Sequence, residues 1–215
     1  MRGSGPCSLG NVQKDIAYHL ILASASPARR ALLAAAGIDA EVMVSGVDES
    51  VVEAEDAYTL SLGLARMKAR TIAAQLTADP GALVLGCDSV LAFEGEIFGK
   101  PANADEAAKR WMAMRGRSGV LHTGHHLTGL VSGRQAEGVG TTVVHFADIT
   151  DEEIAAYVAS EEPLSVAGSF TIDGRGGAFV DRIEGDPGNV IGLSLPLLRN
   201  LLAEMDISIT QLWRK

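Results

Sequence analysis

Cysteine is scarce in this chain, and so are basic residues and long apolar runs. With only Cys7 and Cys87, the sequence has no disulfide framework, which favours a reducing, cytoplasmic setting. The formal net charge of −9 argues against the broad basic face that binds nucleic acid polymers. No apolar stretch approaches a membrane span, and no secretory pattern opens the chain. An anionic ligand would need a few cations gathered in one cleft, or a divalent metal held by carboxylates.

The chain is long and apolar enough to build one substantial core, with 215 residues of which 47% are hydrophobic. Residues 1–18 lack a sustained period, and we expect a mobile extension or a cloning remnant there. We expect residues 19–215 to form a single domain. Strand-like runs alternate with helical patterns but are interrupted by hairpins, which predicts an α/β fold with a mixed β-sheet and flanking helices.

A short apolar run at residues 20–23 predicts a buried strand, and the residues after it predict the start of a helix. Ser26 is a suitable N-cap, and Pro27 suits the first helical position. Unpaired N–H groups at such a helix start attract a phosphate or carboxylate, and Arg29 adds positive charge. An ordinary capped helix with solvated arginines explains the same residues, and this segment alone favours that simpler interpretation.

The sharpest anomaly is Asp88, the single acid in an apolar run of strand length over residues 82–93. A carboxylate inside a buried strand needs hydrogen bonds, a cation or a metal, or else its pKa rises. Because such residues gather at functional sites, we interpret Asp88 as functional. The hairpin predicted over residues 93–98 returns the chain toward Asp88 and brings Lys100 with it, although an exposed loop lysine fits the same pattern.

An amphipathic helix is predicted over residues 56–75, with Leu60, Leu64 and Met67 on its core side. Lys68 lies on the flank of that apolar stripe, where a lysine either extends to water or reaches into a cleft. Glu49 follows a predicted strand and is either a metal ligand or a loop acid in water.

Three histidines and a glycine-rich stretch invite ligand-binding interpretations. His122, His125 and His126 lack the helical spacing of a zinc pair, so we interpret them as solvated or hydrogen-bonded. Residues 167–177 fit neither phosphate-loop spacing, and we predict a loop in which the backbone approaches a neighbouring group closely.

The sequence resembles the Maf family of nucleoside triphosphate pyrophosphatases from about residue 20 to about residue 202. The resemblance rests on short motifs in the family's order: residues 22–30, 48–49, 65–69, 86–89, 99–101, 123–124, 167–170 and 185–193. None of these motifs is decisive alone. Eight of them in the right order are strongly specific.

The resemblance implies an elongated α/β fold related to the inosine triphosphate pyrophosphatases, with two lobes around a deep cleft and usually a homodimer. It implies hydrolysis of a nucleoside triphosphate at the α–β phosphate bond, which removes non-canonical or surplus nucleotides. The implied cofactor is a divalent metal ion, Mg²⁺ first, with Mn²⁺ or Co²⁺ as alternatives. A non-catalytic, nucleotide-binding regulator of cell division or septum formation is the alternative function.

Carried over to this sequence, the resemblance implies that three cations bind the triphosphate: Arg29, Lys68 and Lys100. Ser24 and Ser26 belong to the same cradle. Glu49 would help to hold the metal. Asp88, also a metal ligand, would accept the proton of the attacking water.

The sequence departs from the family pattern at several positions. Ala28 stands where the family's first arginine is usual, so that one contact is missing or is supplied by Arg30. Ser89 replaces a threonine but keeps the hydroxyl. Asp173, with Phe170 before it, occupies the position that is glutamine in the branch acting on thymidine and uridine triphosphates. An acid there is closer to the branch that prefers 7-methyl-GTP, and the base preference stays open.

Overall fold

The structure, a computed structural model, describes residues 16–214. Most of the extension predicted over residues 1–18 therefore lies outside the described residues. The strands are β1 (His19–Ala23), β2 (Ala40–Val42), β3 (Ala82–Phe93), β4 (Glu96–Phe98), β5 (Ser118–Gly129), β6 (Gln135–Phe146) and β7 (Val180–Glu184). The helices are α1 (Pro27–Ala35), α2 (Ala57–Ala73), α3 (Ala104–Met114), α4 (Asp151–Ala159), α5 (Pro187–Ile191) and α6 (Leu195–Glu204).

The strands form one mixed sheet in the order β2-β1-β3-β5-β6-β7, and β4 also pairs with β3. Strand β1 is parallel to both β2 and β3, whereas β3 is antiparallel to β4 and β5, and the pairs β5–β6 and β6–β7 are also antiparallel. The predicted mixed α/β sheet is therefore confirmed. No helix within residues 16–214 has both the length and the apolar character that crossing a membrane requires.

One edge of β3 changes partner along its length. Strand β1 pairs with β3 as far as Ala23 opposite Gly86, and β4 takes over at Leu91 opposite Phe98. Between these points β3 pairs with β5 alone, with Asp88 opposite Gly124. The sheet edge is thus open beside Asp88, and the cleft described below lies there.

Helix α2 packs closely on β3 and β5 through small side chains. Its buried side consists of Ala57, Ser61, Leu64, Ala65, Ala69 and Ile72. The prediction was right for Leu64 but wrong for Leu60 and Met67, which are half-buried. A Cβ atom on Gly86 would lie 2.1 Å from the Ala65 carbonyl oxygen. The backbones therefore approach too closely for large side chains, and this approach brings Lys68 down to β3.

Two apolar clusters occupy the other face of the sheet. The first joins β1 and the start of β3 to α1 and α6, with Leu22, Leu85 and Leu202 fully buried. The second joins the end of β3 to α3 and α4, with Trp111 at its centre. Because separate parts of β3 belong to each cluster, the strand connects two packed halves of the domain.

The histidines are held by hydrogen bonds. His125 is buried, and its Nε2 accepts from the Ser194 amide at 2.9 Å while its Nδ1 lies 2.9 Å from the Thr123 carbonyl. Burial lowers the pKa of His125 to about 4, so the ring is neutral at pH 7. His126 pairs with Glu137 at 2.8 Å. The hydrogen-bonded interpretation is right for both, and also for His122, whose Nδ1 lies 3.1 Å from Thr141 Oγ1. His125 and His126 are buried and therefore not solvated.

Candidate active site

A cleft of about 870 Å³ opens at the free edge of β3. Its walls come from the end of β1, the start of α1, the loop before α2, and the segments around Lys100 and Phe170. All ten predicted site residues line it: Ser24, Ser26, Arg29, Glu49, Lys68, Asp88, Ser89, Lys100, Phe170 and Asp173. The structure therefore brings the predicted residues together in one place.

Asp88 forms a buried ion pair at the back of the cleft. The carboxylate is 11% exposed and accepts a short hydrogen bond through Oδ1 from the Lys68 ammonium. Lys68 also lies 2.7 Å from Oε1 of Glu49, whose side chain is half exposed. Burial raises the pKa of Asp88 above its ordinary 3.8, more than the charges of Lys68 and Arg29 lower it. The site thus contains a carboxylate with raised proton affinity, as a general base requires.

The start of α1 faces the cleft as predicted. Ser26 caps the helix by accepting from the Arg29 amide at 3.4 Å, and Pro27 is the first helical residue. Ser24 Oγ accepts from the Ser26 amide at 3.2 Å. Both hydroxyl oxygens are therefore engaged as acceptors, which leaves their protons available for donation to an anion.

Arg29 is the most heavily bonded cation of the site. It is 8% exposed and donates to the carbonyls of Gly192 at 2.7 Å and Cys87 at 2.9 Å, and to the hydroxyls of Ser24 at 2.9 Å and Ser89 at 3.1 Å. The interpretation as a solvated arginine is wrong for this residue. A guanidinium has five N–H donors, so only one remains for a phosphate. Arg29 fastens three chain segments around Asp88 and supplies fixed positive charge.

A chain of hydroxyls continues from Arg29 across the sheet. Thr123 Oγ1 donates to the Asn189 carbonyl at 2.9 Å, so the 2.9 Å contact between Ser89 and Thr123 has Ser89 as its donor. The Ser89 hydroxyl proton is therefore committed to the protein. Sequence reasoning assigned no role to Thr123 or Asn189, although both lie in the quoted motifs.

Lys100 differs from Lys68 in being exposed. Its ammonium has no carboxylate within 4 Å among residues 16–214. The preceding residue is fixed, because the Gly99 carbonyl accepts from the Gly168 amide at 3.1 Å and from Arg110 at 2.6 Å. An exposed ammonium on a hydrogen-bonded backbone suits the binding of a polyanion that enters from solvent.

Phe170 and Asp173 lie on the wall contributed by the second cluster. Phe170 is buried and packs edge-to-face on Phe146, with ring centroids 5.1 Å apart. Asp173 is exposed at the cleft. Phe170 is thus part of the core as well as of the cleft lining. The Asp173 carboxylate is the group of this pair that is exposed to a ligand in the cleft.

The position of Ala28 resolves one alternative from the sequence. Ala28 lines the cleft, whereas Arg30 is exposed and lies outside the lining. The geometry therefore favours a missing contact over one supplied by Arg30.

Glu49 and Asp88 are the carboxylates that fit a divalent metal. Carboxylate oxygens suit Mg²⁺, which takes one or two of them and completes its shell with phosphate oxygens and water. Asp88 Oδ2 accepts no hydrogen bond from the described part of the chain, whereas Oδ1 is bonded to Lys68. No group of three or more potential ligand side chains occurs within residues 16–214, so phosphate and water would supply most of the shell.

Comparison with known proteins gives one family and many relatives. The family model described as "Maf-like protein" matches residues 19–205. A protein of Salinispora tropica is 61% identical over 203 residues, covering 94% of this chain and 90% of its own. Proteins of Streptomyces coelicolor and Microcystis aeruginosa are 58% and 53% identical over 194 residues, each covering 90% of this chain and 94% and 98% of their own. All three are named nucleoside triphosphate pyrophosphatase.

Proposed function

Because the chain belongs to the Maf-like protein family, we propose that it hydrolyses nucleoside triphosphates to the monophosphate and pyrophosphate. The observation that carries the proposal is the buried Asp88 carboxylate, paired with Lys68 at the back of a cleft whose wall includes Lys100 and the start of α1. Relatives at 50–61% identity bear the name of this activity.

The bond cleaved is the one between the α-phosphorus and the oxygen that bridges to the β-phosphate. Asp88 accepts a proton from water, the water oxygen bonds to the α-phosphorus, and pyrophosphate leaves with the bridging oxygen. Lys100, the remaining Arg29 donor and the Ser24 and Ser26 hydroxyls bind phosphate oxygens. Lys68 orients the Asp88 carboxylate by occupying one acceptor position of Oδ1, and the carboxylate's remaining acceptor positions serve the water proton and the metal.

A divalent metal, Mg²⁺ first and Mn²⁺ or Co²⁺ otherwise, is part of the proposal. Glu49 and Asp88 would hold it beside the phosphates. When bound it supplies charge neutralisation of the triphosphate and of the leaving pyrophosphate. The cations that line the cleft cannot balance a triphosphate alone, since Lys68 is paired with two carboxylates and this leaves the charges of Arg29 and Lys100.

The alternative, a regulator of cell division or septum formation that binds nucleotides without catalysis, is not favoured. A binding protein has no need to bury a carboxylate whose charge repels the phosphates. We also propose a homodimer and a cytoplasmic location, since the family resemblance implies the first and the lack of a disulfide framework favours the second. Sedimentation velocity of the purified chain tests the homodimer.

The test is a screen of nucleoside triphosphates for pyrophosphate release with Mg²⁺, repeated with Asp88→Asn. We expect equal amounts of monophosphate and pyrophosphate from the wild-type chain and a loss of at least about 100-fold with Asp88→Asn. Hydrolysis in ¹⁸O-water should place the label in the monophosphate. Lys109→Ala, an exposed lysine on α3, is the control. Unchanged release by Asp88→Asn, or label in pyrophosphate, would contradict the assignment.

A further inference from the structure

We propose that Glu162 is a positioning residue that holds the loop of residues 171–176 at the cleft and thereby sets how tightly the nucleoside part of the substrate binds. The inference rests on the proposed function. Glu162 does not line the cleft itself, whereas Thr171 and Asp173 of that loop do. It would act through these neighbours and not on the reacting atoms.

The Glu162 carboxylate is the acceptor at which the loop converges. Its Oε1 accepts from Thr171 Oγ1 at 2.6 Å, from the Gly176 amide at 2.9 Å and from the Tyr157 hydroxyl at 3.0 Å. Its Oε2 accepts from the Arg175 amide at 3.0 Å. Burial opposes ionisation, yet hydrogen bonds from the loop hold the pKa of Glu162 down at about 2. The carboxylate is therefore charged at neutral pH, and charged acceptors make the stronger hydrogen bonds.

The glycines of the loop explain why this sequence fits around a carboxylate. A Cβ atom on Gly174 would lie 2.7 Å from Glu162 Oε2, and one on Gly176 would lie 2.3 Å from the Tyr157 hydroxyl. The loop backbone thus reaches the carboxylate where a side chain would prevent contact. This is the close approach that the glycine-rich stretch predicted.

The charge on the loop indicates which part of a nucleotide it meets. Asp173 is exposed at the cleft, and its carboxylate repels phosphate oxygens. A carboxylate instead accepts from the N–H groups of a base or the hydroxyls of a sugar. The cations lie elsewhere on the wall, at the start of α1, on α2 and at Lys100. The loop therefore faces the nucleoside, and its position affects nucleoside binding more than phosphate binding.

The experiment compares Glu162→Gln with the wild-type chain on the best nucleotide from the screen. The amide of glutamine places N–H donors against the Arg175 or Gly176 amides, so the loop loses its fixed position. We expect KM to rise about tenfold while kcat falls by less than about threefold. Inorganic tripolyphosphate, which has no base or sugar, is the second probe, and its inhibition constant should not change. Glu161→Gln, an exposed neighbour, is the matched control.

Two measurements keep the inference testable if activity is absent or Glu162→Gln does not fold. If activity is absent, amide hydrogen exchange is compared between the wild-type chain and Glu162→Gln. The amides of Arg175 and Gly176 should exchange faster in Glu162→Gln than in wild type, while those of β3 should not change. Thr171→Val, which removes one bond to Glu162, should raise KM in the same direction by a smaller factor. Equal changes in nucleotide KM and tripolyphosphate inhibition, or no change in either, overturn the inference. Absence of pyrophosphate release by the wild-type chain instead overturns the proposed function.

Discussion

Replacing Lys68 with methionine should destabilise the protein in a way that depends on pH. The substitution keeps the unbranched stem but removes the ammonium that lies between Asp88 and Glu49. Asp88, 11% exposed, then loses both its ion pair and its hydrogen bond. Breaking a buried pair by removing one partner costs on the order of 3 kcal/mol, and protonation of Asp88 limits that cost.

The sign of the pH dependence follows from the pKa of Asp88. Burial already raises it above 3.8, and loss of Lys68 removes the largest opposing cause. A group whose folded pKa exceeds its unfolded pKa stabilises the fold below the unfolded value, and that stability is lost as pH rises through the folded value. The difference in the free energy of unfolding between wild type and Lys68→Met should therefore be larger at pH 8 than at pH 5.

The assay is urea unfolding at several pH values, with pyrophosphate release measured over the same range. We expect the acid limb of the kcat/KM profile to move to higher pH in Lys68→Met. The pH dependence of the stability loss should vanish when Lys68→Met is made in an Asp88→Asn chain. Lys109→Met is the matched control, because Lys109 is exposed on α3. A stability loss that is equal at pH 5 and pH 8 would refute the coupling of Lys68 to Asp88.

Three further predictions test the frame around the site. Arg29→Lys keeps the charge but not the planar guanidinium, and it should lower the free energy of unfolding by about 3 kcal/mol. Lys100→Ala should change the free energy of unfolding by less than about 0.5 kcal/mol. Urea midpoints that shift equally in the two variants would contradict the fastening role of Arg29. Gly86→Ala places a methyl group 2.1 Å from the Ala65 carbonyl oxygen and should cost about 3 kcal/mol in urea unfolding, whereas Gly99→Ala, where the added group meets open space, should not. The pKa of His125 is about 4 in the folded chain against 6.5 in the unfolded chain, so the unfolded chain binds a proton first as pH falls. About 3 kcal/mol of the free energy of unfolding should therefore be lost between pH 6.5 and pH 4. His125→Gln should reduce this dependence of stability on pH, as measured by urea unfolding.

Patterns of neighbouring residues predicted two parts of the site, the start of α1 and Asp88. Ser26 and Pro27 set the start of α1 through groups within one helical turn, so the sequence is sufficient to place it. Asp88 was identifiable because a lone acid in an apolar strand conflicts with burial. The resemblance to the family then predicted which distant residues join them, including Glu49, Lys68 and Lys100 in the cleft.

What remained hidden depends on contacts between distant segments. The stripe of α2 that packs on the sheet was misassigned at Leu60 and Met67, because Gly86 and Gly124 on other strands decide which face comes close. Arg29 could not be recognised as a fastening residue, since its partner Gly192 lies 163 positions along the chain. Glu162 gave no sequence signal, because an acid beside a proline in a loop is ordinary.

The position of the site follows from the division of the core. Along one face of β3, Leu85 and Cys87 belong to the first cluster and Leu91 and Phe93 to the second, with Ser89 between them. At this break the sheet edge is also open, since β1 has ended and β4 has not begun. Polar side chains are tolerated there because they satisfy one another, as Arg29, Ser89 and Thr123 do. The carboxylate of Asp88 and the cations can therefore line a cleft between the two clusters without weakening the packing of either one. Substitutions of the polar residues between the clusters should alter the site more than they alter the packing of Leu22 or Trp111.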